Sequence, residues 1–188
     1  MGFPGQGAEY VYRRLERRRQ AGLVLGVNIG KNKDTPLEDA YQDYLELMRT
    51  FAPLADYLAI NISSPNTVGL RRLQGRRELD RLLSELYKES LSQDLKLGRH
   101  LPLLIKLAPD LTNDELDDAL DAIIGNGMDG VIATNTTLGR EGLQSPFAKE
   151  TGGLSGKPLH RCSLEMVRTI FRRTDGTLPI IGVGGIDS

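Results

Sequence analysis

Two short clusters of amide and hydroxyl side chains are the parts of this sequence whose residue types and spacing could do chemistry. Residues 61–67 read NISSPNT, and residues 134–137 read TNTT. In the first cluster, Pro65 restrains Ser64 to an extended conformation. These side chains offer hydrogen-bond donors and acceptors without net charge, which suits a planar ligand with carbonyl and N–H edges, such as a pyrimidine or a flavin. Taken alone, the SSPN run is also typical of a turn after a strand.

Two further segments could bind an anion. Lys106 lies inside the apolar run LPLLIKL, where its ammonium group must either extend to solvent or meet a negative charge of a ligand or cofactor. Residues 182–186 (GVGGI) follow another apolar run and could present backbone N–H groups to a phosphate, although tight turns use glycine in the same way. Segment 138–158 is long for a connection between a strand and a helix, which is typical of functional or disordered loops.

Other reactive or charged residues point to little chemistry. The single cysteine and two histidines exclude an intrachain disulfide and a cysteine-based metal cluster, so we expect no metal site. Cys162 is interpreted as a helix-start residue rather than a nucleophile. The basic run 12–19 is interpreted as the solvated face of a helix, because few aromatic residues interrupt it. The net charge of −1 likewise predicts no general affinity for nucleic acid.

Short apolar runs that alternate with amphipathic segments must position these side chains. A length of 188 residues, with 39% hydrophobic and 26% charged residues, is typical of one globular domain. No apolar run reaches the roughly 18 residues that a membrane span needs, and the N-terminus lacks the apolar segment of a signal peptide. The runs are rich in Leu, Ile and Val, which predicts strands buried on both faces of a parallel sheet. They cover residues 22–28, 57–62, 101–107, 130–133 and 178–183.

The segments between the runs predict helices. Residues 35–38 (TPLE) and 112–115 (TNDE) have the capping-box pattern that opens a helix. Residues 76–92 and 163–174 predict two further helices. A strand that alternates with a helix about four times along the chain indicates an α/β fold.

The position of the polar clusters favours one of two α/β architectures. Almost every predicted strand ends in a polar or glycine-rich cluster. In a (β/α)8 barrel all strand carboxyl ends converge on the face that carries the active site, whereas a doubly wound sheet concentrates such residues beside one switch point. Five such strand ends favour the barrel, although the alternation of elements is also compatible with an open sheet.

Six motifs, taken together, resemble those of dihydroorotate dehydrogenases, and more narrowly those of the membrane-associated, quinone-dependent class (class 2). They follow the family order along essentially the whole chain: GVNIGKNK at 26–33, NISSPNTVGLR at 61–71, IKLAPD at 105–110, TNTT at 134–137, ETGGLSGKPL at 150–159 and IIGVGGI at 180–186. The class assignment depends on Ser64, because the soluble class has a cysteine here, in a Ser-Cys-Pro-Asn motif.

This resemblance implies an FMN-binding (β/α)8 TIM barrel that oxidises dihydroorotate to orotate in de novo pyrimidine (UMP) biosynthesis, with a quinone as electron acceptor. By resemblance, Ser64 is the general base that removes the C5 proton while the C6 hydride passes to the flavin, and Thr67 and Phe3 shape the path by which the proton leaves. The residues that match substrate-binding positions are Phe3, Asn61, Asn66, Asn135 and Thr136. Those that match FMN-binding positions are Asn28, Asn61, Lys106, Thr134, Gly156 and Gly185.

Compared with the family pattern, residues 1–188 are expected to form one partial FMN-binding barrel domain, truncated at both ends, with about five of the eight strand–helix units. The chain alone is therefore expected to be soluble, to bind FMN poorly and to be inactive, with the quinone site in a missing N-terminal region. The resemblance implies a monomeric full-length parent attached peripherally to a membrane. That membrane would be the cell membrane, on its cytoplasmic side, in a bacterium, or the inner mitochondrial membrane in a eukaryote.

Two other interpretations are open. The chain could be a non-catalytic remnant that acts as an interaction module, with open strand edges that favour self-association. It could also be another flavin barrel that acts on pyrimidines, such as a dihydropyrimidine dehydrogenase module. Those use the cysteine motif and carry cysteine-rich iron–sulfur domains, so Ser64 and the single cysteine count against that reading.

Overall fold

The computed structural model describes residues 5–18, 22–67 and 69–186, and its framework is a parallel sheet of five strands. The strands are β1 (Gly26–Ile29), β2 (Tyr57–Asn61), β3 (Leu103–Leu107), β4 (Gly130–Ala133) and β5 (Ile180–Gly182). The helices are α1 (Ala8–Arg18), α2 (Ala40–Phe51), α3 (Arg76–Leu97), α4 (Asn113–Gly125) and α5 (His160–Arg173). Short 3-10 helices lie in the connections, at Leu37–Asp39, Leu70–Gln74, Pro146–Lys149 and Lys157–Leu159.

The strands pair in the order in which they occur along the chain, and every pairing is parallel. One helix, from α2 to α5, lies in each connection between successive strands. A doubly wound sheet would reverse its strand order at a switch point, and no reversal occurs among the described strands. The α/β class is confirmed, and the five strands form part of a (β/α)8 barrel.

The two faces of the sheet differ because successive side chains along a strand point in opposite directions. Ile60 of β2 and Ile105 of β3 are fully buried in the main core, which includes residues of α2, α3, α4 and α5. The opposite surface, which we call the inner face, carries a small separate cluster formed by Ala59, Leu104 and Ile132, with Tyr57 packed against it.

Burial on both faces was predicted for all five strands, and for the two edge strands this prediction is wrong. Gly26 and Asn28 of β1 are exposed, and so are Ile181 and Gly182 of β5. Each edge strand has one paired neighbour in the described sheet, so its inner-face residues are covered from one side. The middle strands are largely buried, as expected.

One of the two predicted capping boxes is confirmed. The hydroxyl oxygen of Thr112 accepts a hydrogen bond from the backbone N–H of Glu115 at 3.3 Å, and the Glu115 carboxylate accepts one from the N–H of Thr112 at 2.8 Å. These reciprocal bonds satisfy two backbone donors at the start of α4.

The other predicted capping box, at residues 35–38, is wrong. Pro36 has an extended backbone, with ψ of 153°, and precedes a 3-10 helix, so α2 begins only at Ala40. The carbonyl oxygen of Thr35 accepts a hydrogen bond from Lys31 Nζ at 2.6 Å. No described side chain caps the 3-10 helix, and Lys31 instead fixes the backbone carbonyl group just before it.

Several boundaries also differ from those predicted. β1 begins at Gly26 instead of residue 22, and α5 begins at His160 instead of residue 163. α3 continues past residue 92 to Leu97. Gly98 ends it in a left-handed conformation, with φ of 65°, which glycine adopts easily.

The basic segment near the N-terminus forms α1. Its apolar side packs against the core, and on its charged side Arg13 pairs with Glu9 while Arg14 lies over the Tyr10 ring, 5.5 Å from the centroid. Some of its charge is therefore neutralised within the helix. Over the described ranges, we find no helix with both the length and the apolar character needed to cross a membrane.

A histidine bridge joins the end of α3 to the starts of β3 and β4. His100 Nδ1 lies 2.7 Å from Asp94 Oδ2, and its Nε2 lies 2.6 Å from Asp129 Oδ1. The remaining carboxylate oxygens accept hydrogen bonds from the N–H groups of Leu101 and Leu103. Both ring nitrogens can donate only when the imidazole is protonated. The bonds to Asp94 and then to Asp129 accordingly raise the pKa of His100.

The free energy of unfolding should therefore depend on pH through His100. The pKa of an unfolded histidine is near 6.5, and the folded-state pKa lies above it. The stabilisation by the bridge is complete below the unfolded pKa and is lost as the pH rises through the folded pKa. Since 57% of the side chain is exposed, we expect at most about 1 kcal/mol. Urea unfolding of wild type and His100→Gln from about pH 6 to about pH 9 measures this difference.

His160→Gln is the matched control, because the His160 ring contacts a backbone carbonyl, that of Gly185, at 3.0 Å. A wild-type advantage over His100→Gln that is constant across this range, or that grows with pH, contradicts the role of the bridge.

Candidate functional site

The carboxyl ends of the five strands meet at one edge of the sheet, and most of the predicted site residues lie there. Asn61 ends β2, Lys106 lies one residue before the end of β3, and residues 134–136 directly follow β4. A cavity of about 490 Å³ opens at this edge. Its lining includes five residues that were predicted as site residues: Asn28, Asn61, Ser64, Asn66 and Thr67.

Two amide side chains join the loop after β2 to the loop after β4. Asn135 Nδ2 donates to Asn61 Oδ1 at 3.2 Å and to Ser63 Oγ at 3.0 Å. Asn61 Oδ1 also accepts from the backbone N–H and the hydroxyl of Ser63. Asn135 Oδ1 accepts from the backbone N–H of Thr136 at 2.8 Å. Protein donors therefore occupy both amide oxygens.

The amino group of Asn61 takes no part in this hydrogen-bond network. Asn61 Nδ2 donates to no residue in the described ranges. Within the same ranges, no buried side-chain nitrogen or oxygen lacks a hydrogen-bond partner. Because Asn61 lines the cavity, its amino group is accessible there and can donate to a ligand carbonyl.

Ser64 is buried beside the same cavity, with 5% of its surface exposed. Its Oγ accepts a hydrogen bond from the backbone N–H of Asn66 at 3.3 Å. This bond leaves the hydroxyl hydrogen able to point elsewhere. In the described part of the chain, no carboxylate or histidine contacts Ser64, so a proton that it accepts must pass to another group.

Lys106 lies on the inner face, where it lines a second cavity of about 290 Å³ together with Asn28 and Tyr57. The register places Lys106 beside Asn61. Its ammonium group pairs with no carboxylate among the described residues, and partial burial lowers its pKa. A half-buried cation without a counter-charge indicates a place for an anionic group.

A glycine turn after β5 packs directly against the start of α5. Gly184 and Gly185 have φ values of 115° and 71°, which favour glycine. A Cβ atom on Gly185 would lie 2.5 Å from the backbone nitrogen of His160 and 2.8 Å from the carbonyl oxygen of Gly156. The N–H groups of Gly184 and Gly185 donate to no described residue. Unpaired N–H groups beside a helix N-terminus suit a phosphate.

The long loop after β4 folds back over the site. Thr137 and Leu154 form an antiparallel bridge, and Arg140 donates to the carbonyl oxygens of Glu150 and Gly152. Gly153 lies so close to the loop that follows β4 that a Cβ atom on it would be 1.8 Å from Thr136 Oγ1 and 2.5 Å from Thr136 Cβ. The loop is therefore packed onto one of the predicted substrate-binding residues.

Two side chains that hold this edge together were not predicted. Arg71 donates to a carbonyl oxygen in each of the loops after β2 and β4, and it forms an ion pair with Asp110 at 2.7 Å. Tyr44 of α2 is fully buried and donates to the carbonyl oxygen of Asn61 at 2.9 Å. Burial raises the pKa of Tyr44. In the sequence, Tyr44 looks like an ordinary core residue of a helix, and Arg71 like a surface charge.

The remaining predicted residues are placed less directly. Thr134 is buried, and its hydroxyl donates to the carbonyl oxygen of Asn135 at 2.8 Å, so its side chain points into its own loop. Phe3 lies outside the described residues.

Cys162 is in the first turn of α5. Burial and, to a lesser degree, the charge of Asp110 raise the pKa of its thiol. The raised pKa disfavours a nucleophilic thiolate. No group of three His, Cys, Asp or Glu residues in the described ranges could hold a metal ion.

The sequence matches the family model for dihydroorotate dehydrogenase over residues 1–188. It is 48% identical to a dihydroorotate dehydrogenase (quinone) of Vibrio vulnificus over 191 aligned residues, which cover 100% of this chain and 56% of that protein. It is 50% identical to a dihydroorotate dehydrogenase (quinone) of Roseiflexus castenholzii, with 99% and 50% covered. The chain spans about half the length of the curated relatives it matches.

Solved structures agree with this similarity. A crystal structure of the DHODH of Eimeria tenella in complex with ferulenol superimposes with a TM-score of 0.90 at 40% identity, and the alignment covers 100% of this chain and 55% of that one. The ligand-free form from the same organism gives a TM-score of 0.87 at 41% identity, with 97% and 55% covered.

Gly153→Ala should loosen the long loop, because its new methyl group cannot fit beside Thr136 unless the loop moves. We expect faster proteolysis within residues 138–156 and a free energy of unfolding lowered by about 1–3 kcal/mol. Limited proteolysis and urea unfolding measure the two effects.

Gly125→Ala is the matched control, since no atom lies within 4 Å of the position of its Cβ atom. If Gly153→Ala is cleaved at the same rate as Gly125→Ala and is equally stable, the loop does not depend on this close contact.

Proposed function

The chain belongs to the dihydroorotate dehydrogenase family, and we propose on that premise that the whole protein oxidises dihydroorotate to orotate with a quinone as the final electron acceptor. The observation that carries this proposal is the cavity at the strand carboxyl ends. There Asn28, Asn61, Ser64, Asn66 and Thr67 line one space. Uncharged amides and hydroxyls around a partly apolar cavity suit a pyrimidine ring.

The amide set is proposed to bind the pyrimidine through its carbonyl and N–H edges. Asn61 offers an accessible amino group, and Asn66 lines the same cavity. Asn135 and Thr136 are held next to Asn61 by hydrogen bonds and complete the set from the neighbouring loop. The bonds from Asn135 also fix the orientation of the Asn61 amide, so the donor is in place before the ligand arrives.

The residues at this edge fit FMN as the cofactor. Lys106 supplies an unpaired, half-buried cation on the inner face, which would stabilise negative charge at the N1/C2 end of a flavin ring. The N–H groups of Gly184 and Gly185, packed against the start of α5 and Gly156, would hold its phosphate. Asn28 lines both cavities and is proposed to bind the flavin with Asn61 and Thr134.

When bound, FMN would supply an acceptor for the hydride from C6 of dihydroorotate and a route for the electrons to the quinone. Ser64 is proposed to remove the C5 proton. A serine hydroxyl is a weak base at neutral pH, so Ser64 must lose its own proton as it accepts the new one. Thr67 lines the same cavity, and we propose that it shapes the path by which the proton leaves, with Phe3 as a further residue of that path.

The quinone partner implies a location, because quinones of this kind dissolve in lipid. We propose that the whole protein acts as a monomer at a membrane surface. In a bacterium this would be the cytoplasmic side of the cell membrane, and in a eukaryote the inner mitochondrial membrane. Residues outside this chain are proposed to bind the quinone. Residues 1–188 are proposed to form part of a single FMN-binding barrel domain.

Ser64→Ala in the whole protein should slow the reduction of bound flavin by dihydroorotate by about 100-fold or more, because it removes the proton acceptor. Ser64→Cys should recover part of the rate, since a thiol can accept the proton. Stopped-flow absorbance of the flavin measures the rate constant, and equal FMN content shows that the variants are folded.

Ser84→Ala is the matched control, because Ser84 lies on α3 away from the strand carboxyl ends. If Ser64→Ala reduces its flavin as fast as wild type and Ser84→Ala do, Ser64 is not the base.

The isolated 188-residue chain should bind FMN weakly and show little turnover. Its inner face is open at the edge strands, where Ile181 and Val183 are exposed, so a flavin would be covered from one side. Fluorescence titration of FMN against the isolated chain and the whole protein compares their affinities. One equivalent of tightly bound FMN on the isolated chain contradicts this expectation.

A further inference from the structure

A single guanidinium group joins three of the loops at the strand carboxyl ends. Arg71 Nε donates to the carbonyl oxygen of Ser63 at 3.2 Å, and one terminal nitrogen donates to the carbonyl oxygen of Thr136 at 3.0 Å. The other terminal nitrogen forms the ion pair with Asp110 at 2.7 Å. The side chains of Arg71 and Asp110 are 22% and 29% exposed, so much of this arrangement is shielded from water.

Two of these three loops carry a residue of the proposed site, and the third follows a strand that carries one. Ser63 directly precedes Ser64, Thr136 belongs to the substrate-binding set, and Asp110 lies in the loop after the strand that carries Lys106. Asp110 also accepts hydrogen bonds from the Thr137 hydroxyl and from the N–H of Leu138 at 3.3 Å. The Arg71–Asp110 pair therefore links the loop of the proposed base to the start of the long loop that covers it.

The position of the Ser64 hydroxyl depends on the Arg71–Asp110 pair more than the positions of the Asn61 and Asn135 amides do. The Asn135 amide is fixed by its own bonds to Asn61 and Ser63. Ser64 Oγ, by contrast, has one hydrogen bond of 3.3 Å, from the N–H of Asn66 in its own turn. The carbonyl group that Arg71 holds belongs to the peptide bond between Ser63 and Ser64. Removal of Arg71 should therefore displace the hydroxyl further than it displaces the amides.

Resting on the proposed function, we propose that Arg71, held by Asp110, is a positioning residue that sets the Ser64 hydroxyl against C5 of dihydroorotate. The geometry needs the planar fork of a guanidinium group, which reaches three acceptors in fixed directions. A lysine keeps the charge, but its ammonium group is a single point and cannot reach all three acceptors.

The test compares Arg71→Lys with wild type in the whole FMN-loaded protein. We expect the rate constant of flavin reduction by dihydroorotate, counted per bound flavin, to fall by about 10- to 100-fold, because a base displaced by about 1 Å loses this much. The kinetic isotope effect with 5-deuterated dihydroorotate should increase, since proton removal becomes more rate-limiting. The dissociation constant of orotate should change by less than about 3-fold, because the amide set stays in place.

Arg72→Lys is the matched control. Arg72 is the next residue on the same 3-10 helix and is exposed, and its side chain contacts no described residue through a hydrogen bond or ion pair. If Arg71→Lys does not fold, Asp110→Asn replaces it, because this change keeps the size of the side chain and one acceptor oxygen but removes the charge that holds the guanidinium group. The same pattern of rate, isotope effect and orotate affinity is expected.

Three results separate the possible outcomes. A rate constant per bound flavin in Arg71→Lys that is within 2-fold of wild type overturns the inference, since a merely structural contact would lower only the amount of folded enzyme. An orotate affinity that falls as much as the rate also overturns it, because the whole substrate site has then moved. If wild-type flavin is not reduced by dihydroorotate at all, the proposed function fails, whatever the Arg71 variant does.

Discussion

Parallel pairing of the strands is the constraint on which the rest of this structure depends. In a parallel sheet every strand must be entered from the same end, so the chain returns through a helix each time and all carboxyl ends meet at one edge. Polar clusters that are far apart in the sequence are brought together in this way. Helices α3 and α4 and strand β3 lie between Asn61 and Asn135 along the chain, and the amides of these two residues are hydrogen bonded at 3.2 Å.

Once these polar groups are buried together, each must find a partner, and this requirement determines what the site can do. Asn135 uses its amide to hold Asn61 and Ser63, which leaves the amino group of Asn61 facing the cavity. Lys106 is the exception, because its half-buried ammonium group has no counter-charge among the described residues. The site therefore combines neutral groups that suit a pyrimidine with a half-buried cation on the inner face that suits a flavin.

The sequence predicts the architecture better than the contacts within it. Apolar runs with polar ends predicted the five strands and favoured the barrel, and the residue pattern at 112–115 predicted the capping box, because these features leave local patterns in the sequence. The capping box at residues 35–38 failed because the chain is extended at Pro36 and forms a 3-10 helix before α2, although the residue types fit the pattern. Burial of β1 and β5 failed because it depends on the number of neighbouring strands, which no local pattern contains. Family motifs predicted Asn28, Asn61, Ser64, Asn66 and Thr67, which line one cavity. Arg71 and Tyr44 were not predicted, because the backbone carbonyl groups that they contact are apparent only in the folded structure.

A crystal structure of the whole protein with FMN and orotate tests the central claim most directly, because it locates the pyrimidine at the strand carboxyl ends or excludes it from them. We expect that Asn61 Nδ2 donates to the ring, that Ser64 Oγ lies against C5, and that Lys106 Nζ contacts the flavin. Orotate bound away from the cavity lined by Asn61 and Ser64, or a flavin that does not reach Lys106, would contradict the claim.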